Sequence, residues 1–167
     1  SSDYPLRDVY KRQLNSTVFA YGQTSSGKTF SIFGGEGYAE RGLVPRALSL
    51  LFRSLQQRSA EQSLQFSWGV SLSFLEVSQE RVFDLLGTPD ASGQRPEVSV
   101  QEGEGGALVL RPLSVFSLRS EDEALRLFLQ GCGARATAGT AMNSASSRSH
   151  AVFSLAVETG CQQGGRM

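Results

Sequence analysis

Short apolar runs alternate with polar, glycine-rich breaks along this chain, and one helical stripe stands out among them. Thr17–Tyr21 (TVFAY) is β-branched and aromatic, a pattern that predicts a buried strand. Gly22–Gly27 breaks it, and Lys28–Phe33 can start a helix. A glycine-rich charged loop, Gly34–Gly42, follows. Val44, Leu48, Leu51 and Leu55 then share one face at helical spacing, with Pro45 suited to the first turn, so a second helix is predicted. The polar stretch Gln56–Gln65 reads as the loop after it. Trp68–Val77 predicts a strand with Val70, Leu72 and Phe74 on one side and Leu75 and Val77 on the other, so both faces are expected to be covered.

Val82–Leu86 continues the apolar character, and Thr88–Pro96 is a turn region. Glu97–Val100 and Ala107–Leu110 read as two short strands around an acidic turn, Gln101–Gly106. Ser120 followed by Glu123 is a capping box. It opens a helix predicted from Glu121 to about Gln130, with Gly131 as the stop signal. Ala134–Ser149 is small and polar and reads as a long functional loop, and Ala151–Val157 is again strand-like. Strands and helices interleave, which argues for an α/β layered sheet.

Composition changes this picture little. The chain has 167 residues, 40% hydrophobic and 19% charged, enough for one compact domain with a substantial core. The formal net charge is zero, so no global field draws it to nucleic acid. Cys132 and Cys161 lack metal spacing and read as two reduced thiols. His150 is the single histidine, which argues against a His-based metal cluster or a conventional Ser-His-Asp triad. No apolar run approaches the roughly 20 residues that span a bilayer, and Ser1–Gln13 lacks the apolar centre of a signal peptide.

The candidate chemistry lies in two loops. Gly22-Gln23-Thr24-Ser25-Ser26-Gly27-Lys28-Thr29 matches G-x-x-x-x-G-K-[ST] without a gap. Its glycines let successive N–H groups converge on phosphate oxygens, and a helix starting near Lys28 would add its positive end. Lys28 can place its ammonium on the β- and γ-phosphates, and the Thr29 hydroxyl can ligate Mg²⁺. Four specified positions meet by chance in roughly one chain of this length in a hundred or fewer, and the flanking strand and helix signals reduce that further. Nucleotide binding is therefore expected, while the loop alone leaves the base and the output open. The Asn-Lys-x-Asp guanine signature and the transporter Leu-Ser-Gly-Gly-Gln signature are not found.

The second loop is Asn143-Ser144-Ala145-Ser146-Ser147-Arg148-Ser149-His150. An Asn, several hydroxyls and an Arg on one loop can contact γ-phosphate and the water around Mg²⁺. Here the sequence resembles a family. Tyr21–Thr29 resembles the kinesin phosphate loop (YGQTxSGKT), and Asn143–His150 is similar to the kinesin switch I (NxxSSRSH). Phe74–Val77, Val82–Leu86, Gly131, Arg135 and Thr140–Asn143 are similar to the motor-core segments between them. Myosins share Ser-Ser-Arg but lack the Gln-Thr and Ser-His positions, so kinesin is the better match.

The resemblance implies a three-layer P-loop NTPase-type sheet with helices on both faces, a truncated kinesin motor core. It implies that Gly22–Thr29 holds the phosphates of ATP, that Thr29 and Ser147 complete the Mg²⁺ shell, that Asn143 and Ser146 sense the γ-phosphate, and that Arg148 pairs with a switch II glutamate. The microtubule is the implied partner of the parent protein and the cytoplasmic cytoskeleton its place, with no nucleic acid, no membrane insertion, and oligomeric state set by a stalk.

Some features depart from the family. Switch II, Asp-Leu-Ala-Gly-x-Glu, is not found in these residues, and Leu155–Gly160 puts its glycine two residues after the acid instead of three. The adenine-contacting Arg-x-Arg-Pro segment is not found either. Gln101–Gly106 is acidic where many kinesins offer tubulin basic residues, and Ser78-Gln79 replaces a common Tyr-Asn. Residues 1–14 are left unassigned as a candidate non-native leader, and 15–167 are expected to form a partial motor domain. For the chain as given, weak nucleotide binding and little microtubule-stimulated ATPase are expected. The alternative reading is a nucleotide-binding pseudo-motor or structural microtubule-associated module without turnover; an unrelated phosphate-loop kinase or GTPase fits the second loop poorly.

Overall fold

The computed structural model describes residues 14–35, 37–62, 66–141 and 149–161. The chain divides into two compact units, Ser1–Trp68 with Glu158–Met167, and Gly69–Val157.

The first unit holds α1 (Lys28–Ile32) and α2 (Leu43–Gln62). Leu48, Phe52 and Leu55 are buried at helical spacing, and the Phe52 ring meets Trp68 edge-on at 6.0 Å between centroids. Helix α2 runs through Gln56–Gln62, where a polar loop was expected. Its last turns carry good helix formers on an exposed surface, and Gln57 Nε2 donates to Glu61 Oε1 at 2.8 Å one turn on. Loss of apolar periodicity there marks exposure of the helix, not its end. The glycine-rich loop before α2 closes on itself through a bridge between Gly34 and Arg41. Gly34 has φ 101°, and a Cβ there would run into the backbone of Glu40–Gly42.

The expected strand at Thr17–Tyr21 is absent: these residues have no regular structure. Val18 is 68% exposed and Phe19 81%. A buried strand needs hydrogen-bonded neighbours and covered faces. Among the described residues no strand pairs with this segment, so its β propensity has nothing to act on.

The strands are β1 (Phe66–Ser78), β2 (Arg81–Asp84), β3 (Glu97–Glu102), β4 (Leu108–Arg111), β5 (Phe116–Leu118) and β6 (Ser149–Cys161). They form one sheet in the order β4-β3-β2-β1-β5, with β6 also paired to β1. The β1–β2 hairpin aligns Leu75 with Asp84 and Ser78 with Arg81, and its two turn residues, Gln79 and Glu80, have φ 51° and 63°. That is the positive-φ pair a tight hairpin requires, met here without glycine. The β3–β4 pair presents the acidic turn, with Glu102 and Glu104 exposed. Strand β5 carried no clear sequence signal; three residues are too few for one.

The second unit also holds α3 (Glu121–Ala141). Half of the capping box forms as expected: Glu123 N–H donates to Ser120 Oγ at 3.2 Å, while the Glu123 carboxylate accepts at 2.8 Å from Arg119 N–H, one residue before the cap. Gly131 does not end this helix, which continues for ten residues to Ala141. A Cβ at Gly131 would enter the Phe74 ring, so the glycine is a packing position where helix and strand approach closely. Around it, Phe74 and Phe128 stack at 6.2 Å, and Phe153 sets its edge against both at 5.3 and 5.6 Å. The loop expected over Ala134–Ser149 therefore begins as helix; residues 142–148 lie outside the described residues.

Candidate functional site

The phosphate loop is built from backbone conformation. Gly22 has φ 156°, Ser25 φ 68° and Gly27 φ 86°, the last being the left-handed N-cap of α1. Ser26 N–H donates to Gln23 O at 3.2 Å and closes the turn. A Cβ on Gly22 would stand 2.7 Å from Ser26 Oγ. At Gly27 it would meet open space, but the positive φ disfavours any side chain. Both glycines of the motif are thus required by the turn, as the spacing predicted.

Lys28 curls back over this turn. Its ammonium donates to Gly22 O at 2.7 Å and Gln23 O at 2.6 Å. The cation therefore sits over the loop with solvent on its other side, where phosphate oxygens can replace the two carbonyls. Thr29 follows on the exposed first turn of α1. With only five residues, α1 offers little helix dipole, so the local cation is the Lys28 ammonium. An anionic triphosphate fits this donor set, and a hard Mg²⁺ ion fits a hydroxyl ligand such as Thr29. The remaining site candidates, Asn143, Ser146, Ser147 and Arg148, lie outside the described residues.

A polar centre that the sequence reading did not single out lies in the second unit. Glu76 occupies the inward register of β1, in line with Val70, Leu72 and Phe74, and is only 3% exposed. Its Oε2 accepts from Arg95 Nη1 at 2.7 Å. Its Oε1 accepts from Ser149 Oγ at 2.7 Å and from Arg135 Nε at 3.2 Å. Arg135 Nη2 reaches Ser149 as well, donating to its O at 3.4 Å and its Oγ at 3.3 Å. Burial pushes the Glu76 carboxyl up, but the bonds from Ser149, Arg95 and Arg135, with the Arg95 charge, outweigh it and hold it below its ordinary value. The available signal was parity: counting by twos from Val70 places an acid on an otherwise apolar face.

Two other polar residues are structural. Asp84 is buried and accepts from Leu86 N–H at 2.9 Å and Ser114 N–H at 2.7 Å, fixing the chain after β2. Cys132 is a free thiol on α3. Burial pushes it up to about 11 against the Arg135 charge, so it is protonated and unreactive at neutral pH. The side chain of Cys161 lies outside the described residues.

Comparison with known proteins adds a family. Residues 5–166 match the family model described as the kinesin motor domain. The chain is 42% identical over 145 residues to kinesin-like protein KLP1 of Chlamydomonas reinhardtii, covering 86% of this chain and 18% of that one. It is 34% identical over 162 residues to kinesin-like protein KIF11 of Xenopus tropicalis, covering 92% and 15%. A solved structure of a fast kinesin superposes with a TM-score of 0.75 at 31% identity, covering 87% of this chain and 39% of that one. The chain therefore spans less than a fifth of the length of these curated relatives. The likeness bears out the expected α/β, P-loop NTPase-type fold.

Proposed function

The chain belongs to the kinesin motor-domain family, and from that premise we propose that it is the ATP-binding part of a microtubule motor whose full-length form couples ATP hydrolysis to movement. The observation that carries this reading is the phosphate loop itself, an ungapped motif in the positive-φ conformation its spacing demands, with the Lys28 ammonium poised above it.

In this reading the N–H groups of Gly22–Thr29 bind and orient the triphosphate, and Lys28 leaves the two carbonyls for the β- and γ-phosphate oxygens. Thr29 and Ser147 hold Mg²⁺, which when bound neutralises charge on the transferring phosphoryl group. Asn143 and Ser146 sense the γ-phosphate and position the attacking water. Arg148 pairs with a carboxylate of the switch II kind. Reaction of this type relies on positioning and electrostatics, so no side chain need become covalently attached. The cytoplasmic microtubule is the partner, by the family's nature.

The test is steady-state ATP hydrolysis by the full-length parent with and without polymerised tubulin. Acceleration by microtubules is expected. Nucleotide binding without turnover in either condition would place the parent among nucleotide-binding modules instead.

A further inference from the structure

Thr88-Pro89 is the one Ser/Thr-Pro pair in the sequence. It lies between β2 and β3, where both residues are exposed and without regular structure. Among the described residues Thr88 takes part in no hydrogen bond, while the loop closes just beyond it. Asp90 N–H donates to Gln94 O at 2.9 Å. Asp90 Oδ1 accepts from Ser92 Oγ at 2.6 Å and from the Ser92 and Gln94 N–H groups at 2.8 and 2.9 Å. The hydroxyl of Ser92 is thus engaged and that of Thr88 is not. The proline that follows biases Thr88 toward extended backbone and removes the next N–H. An extended, unbonded hydroxyl residue ahead of a proline is the substrate form that a proline-directed kinase requires.

A cation stands across the loop from it. Contacts on either side bracket Arg95: a Cβ on Gly87 would lie 2.8 Å from Pro96 Cγ, and Asp90 is bonded to Gln94. Thr88 and Pro89 therefore run opposite Arg95. The Arg95 side chain is 16% exposed, with its guanidinium 5.4 Å from the centroid of the Phe83 ring and 2.7 Å from Glu76 Oε2. Glu76 also accepts from Arg135 and Ser149, so Arg95 can leave it without stranding a buried anion.

We propose that Thr88 is a phosphorylation site for a proline-directed serine/threonine kinase, and that Arg95 turns from Glu76 to hold the phosphate. In the transfer Thr88 Oγ1 forms a bond to the γ-phosphorus of ATP. The bond from that phosphorus to the β,γ-bridging oxygen breaks, ADP leaves, and the hydroxyl proton passes to the kinase's base. The product carries a charge of about −1.5 to −2 at neutral pH. Asp90 and the buried Asp84, whose Oδ2 lies 3.0 Å from the β position of Gly87, oppose that charge, and pairing with an arginine offsets them. The site is independent of the phosphate loop: it needs ATP on the kinase, not on Gly22–Thr29.

The test incubates the folded full-length protein with ATP and a proline-directed kinase of the mitogen-activated class, and locates phosphate by mass spectrometry. A reaction without kinase is the blank for the protein's own use of ATP. Phosphate at Thr88 is expected, none in Thr88→Ala, and a rate lowered roughly tenfold or more in Pro89→Ala. Phosphorus NMR of the modified protein should give a titration midpoint below the ordinary second pKa of about 6, because a guanidinium stabilises the dianion. Arg95→Gln should return the midpoint to that value or above. No phosphate at Thr88 overturns the site, as does phosphate on Ser92 in its place, incorporation only after heat denaturation, or an equal rate for Pro89→Ala. A midpoint at or above about 6 in the unsubstituted phosphoprotein overturns the pairing with Arg95, whether or not Arg95→Gln folds.

Discussion

The phosphate loop and the Glu76 cluster place charge in opposite ways. The loop uses eight consecutive residues, exposed but for Lys28, and is shaped by dihedral angles and short-range bonds. The cluster uses four residues from four places in the chain, and its bonds span 19, 59 and 73 positions. One is a local device that presents donors to solvent. The other is a long-range device that removes a carboxylate from it. Damage to the first should cost ligand affinity with little effect on folding. Damage to the second should cost stability before anything else.

The largest expected effect follows from that contrast. Glu76→Ala leaves two guanidiniums at 14% and 16% exposure without their anion, and should destabilise the fold by about 3–5 kcal/mol in urea unfolding. The same measurement carries a pH signature. A carboxyl held below its ordinary value contributes stability above its unfolded pKa of roughly 4.3 and loses it as pH falls through the folded value. Glu76→Ala should therefore flatten the acid side of the stability profile. An unchanged acid limb would contradict the buried ion pair.

Gly131→Ala is next. Its methyl group would collide with the Phe74 ring, and overpacking of this kind costs about 1–3 kcal/mol. Combining it with Phe74→Leu should be less than additive, since the two changes share one contact. Lys28→Ala should shift stability by less than about 0.5 kcal/mol, because the ammonium bonds only exposed loop carbonyls. A loss comparable to that of Glu76→Ala would erase the distinction between the regions. The smallest effect is expected at the β1–β2 turn. Asn tolerates the left-handed conformation better than Gln, so Gln79→Asn should stabilise by a few tenths to about 1 kcal/mol.

The same contrast explains what could be read from the sequence. The glycine spacing of the phosphate loop, the Ser120–Glu123 capping box and the strand around Phe74 were legible because each signal lies within a few residues of its consequence. Gly131 was misread as a stop because the reason for a glycine there is an aromatic ring 57 positions away in the chain, at Phe74. Gln56–Gln62 was misread because a solvent-facing helix end has no apolar period to display. Thr17–Tyr21 failed differently. Its propensity reads as strand, but pairing is a property of neighbours, and among the described residues it has none. Glu76 was visible only as an acid at an inward position. Nothing local announced that two arginines and a serine would converge on it.

The proposed function requires Gly22–Thr29 to be a triphosphate site with Lys28 as its cation. Equilibrium titration of a fluorescent ATP analogue with Mg²⁺, against the parent protein and Lys28→Ala, tests it most directly. Loss of a charge-assisted contact of about 1.5–3 kcal/mol predicts binding roughly ten- to a hundredfold weaker in the variant. Equal affinity in the two proteins would contradict the assignment.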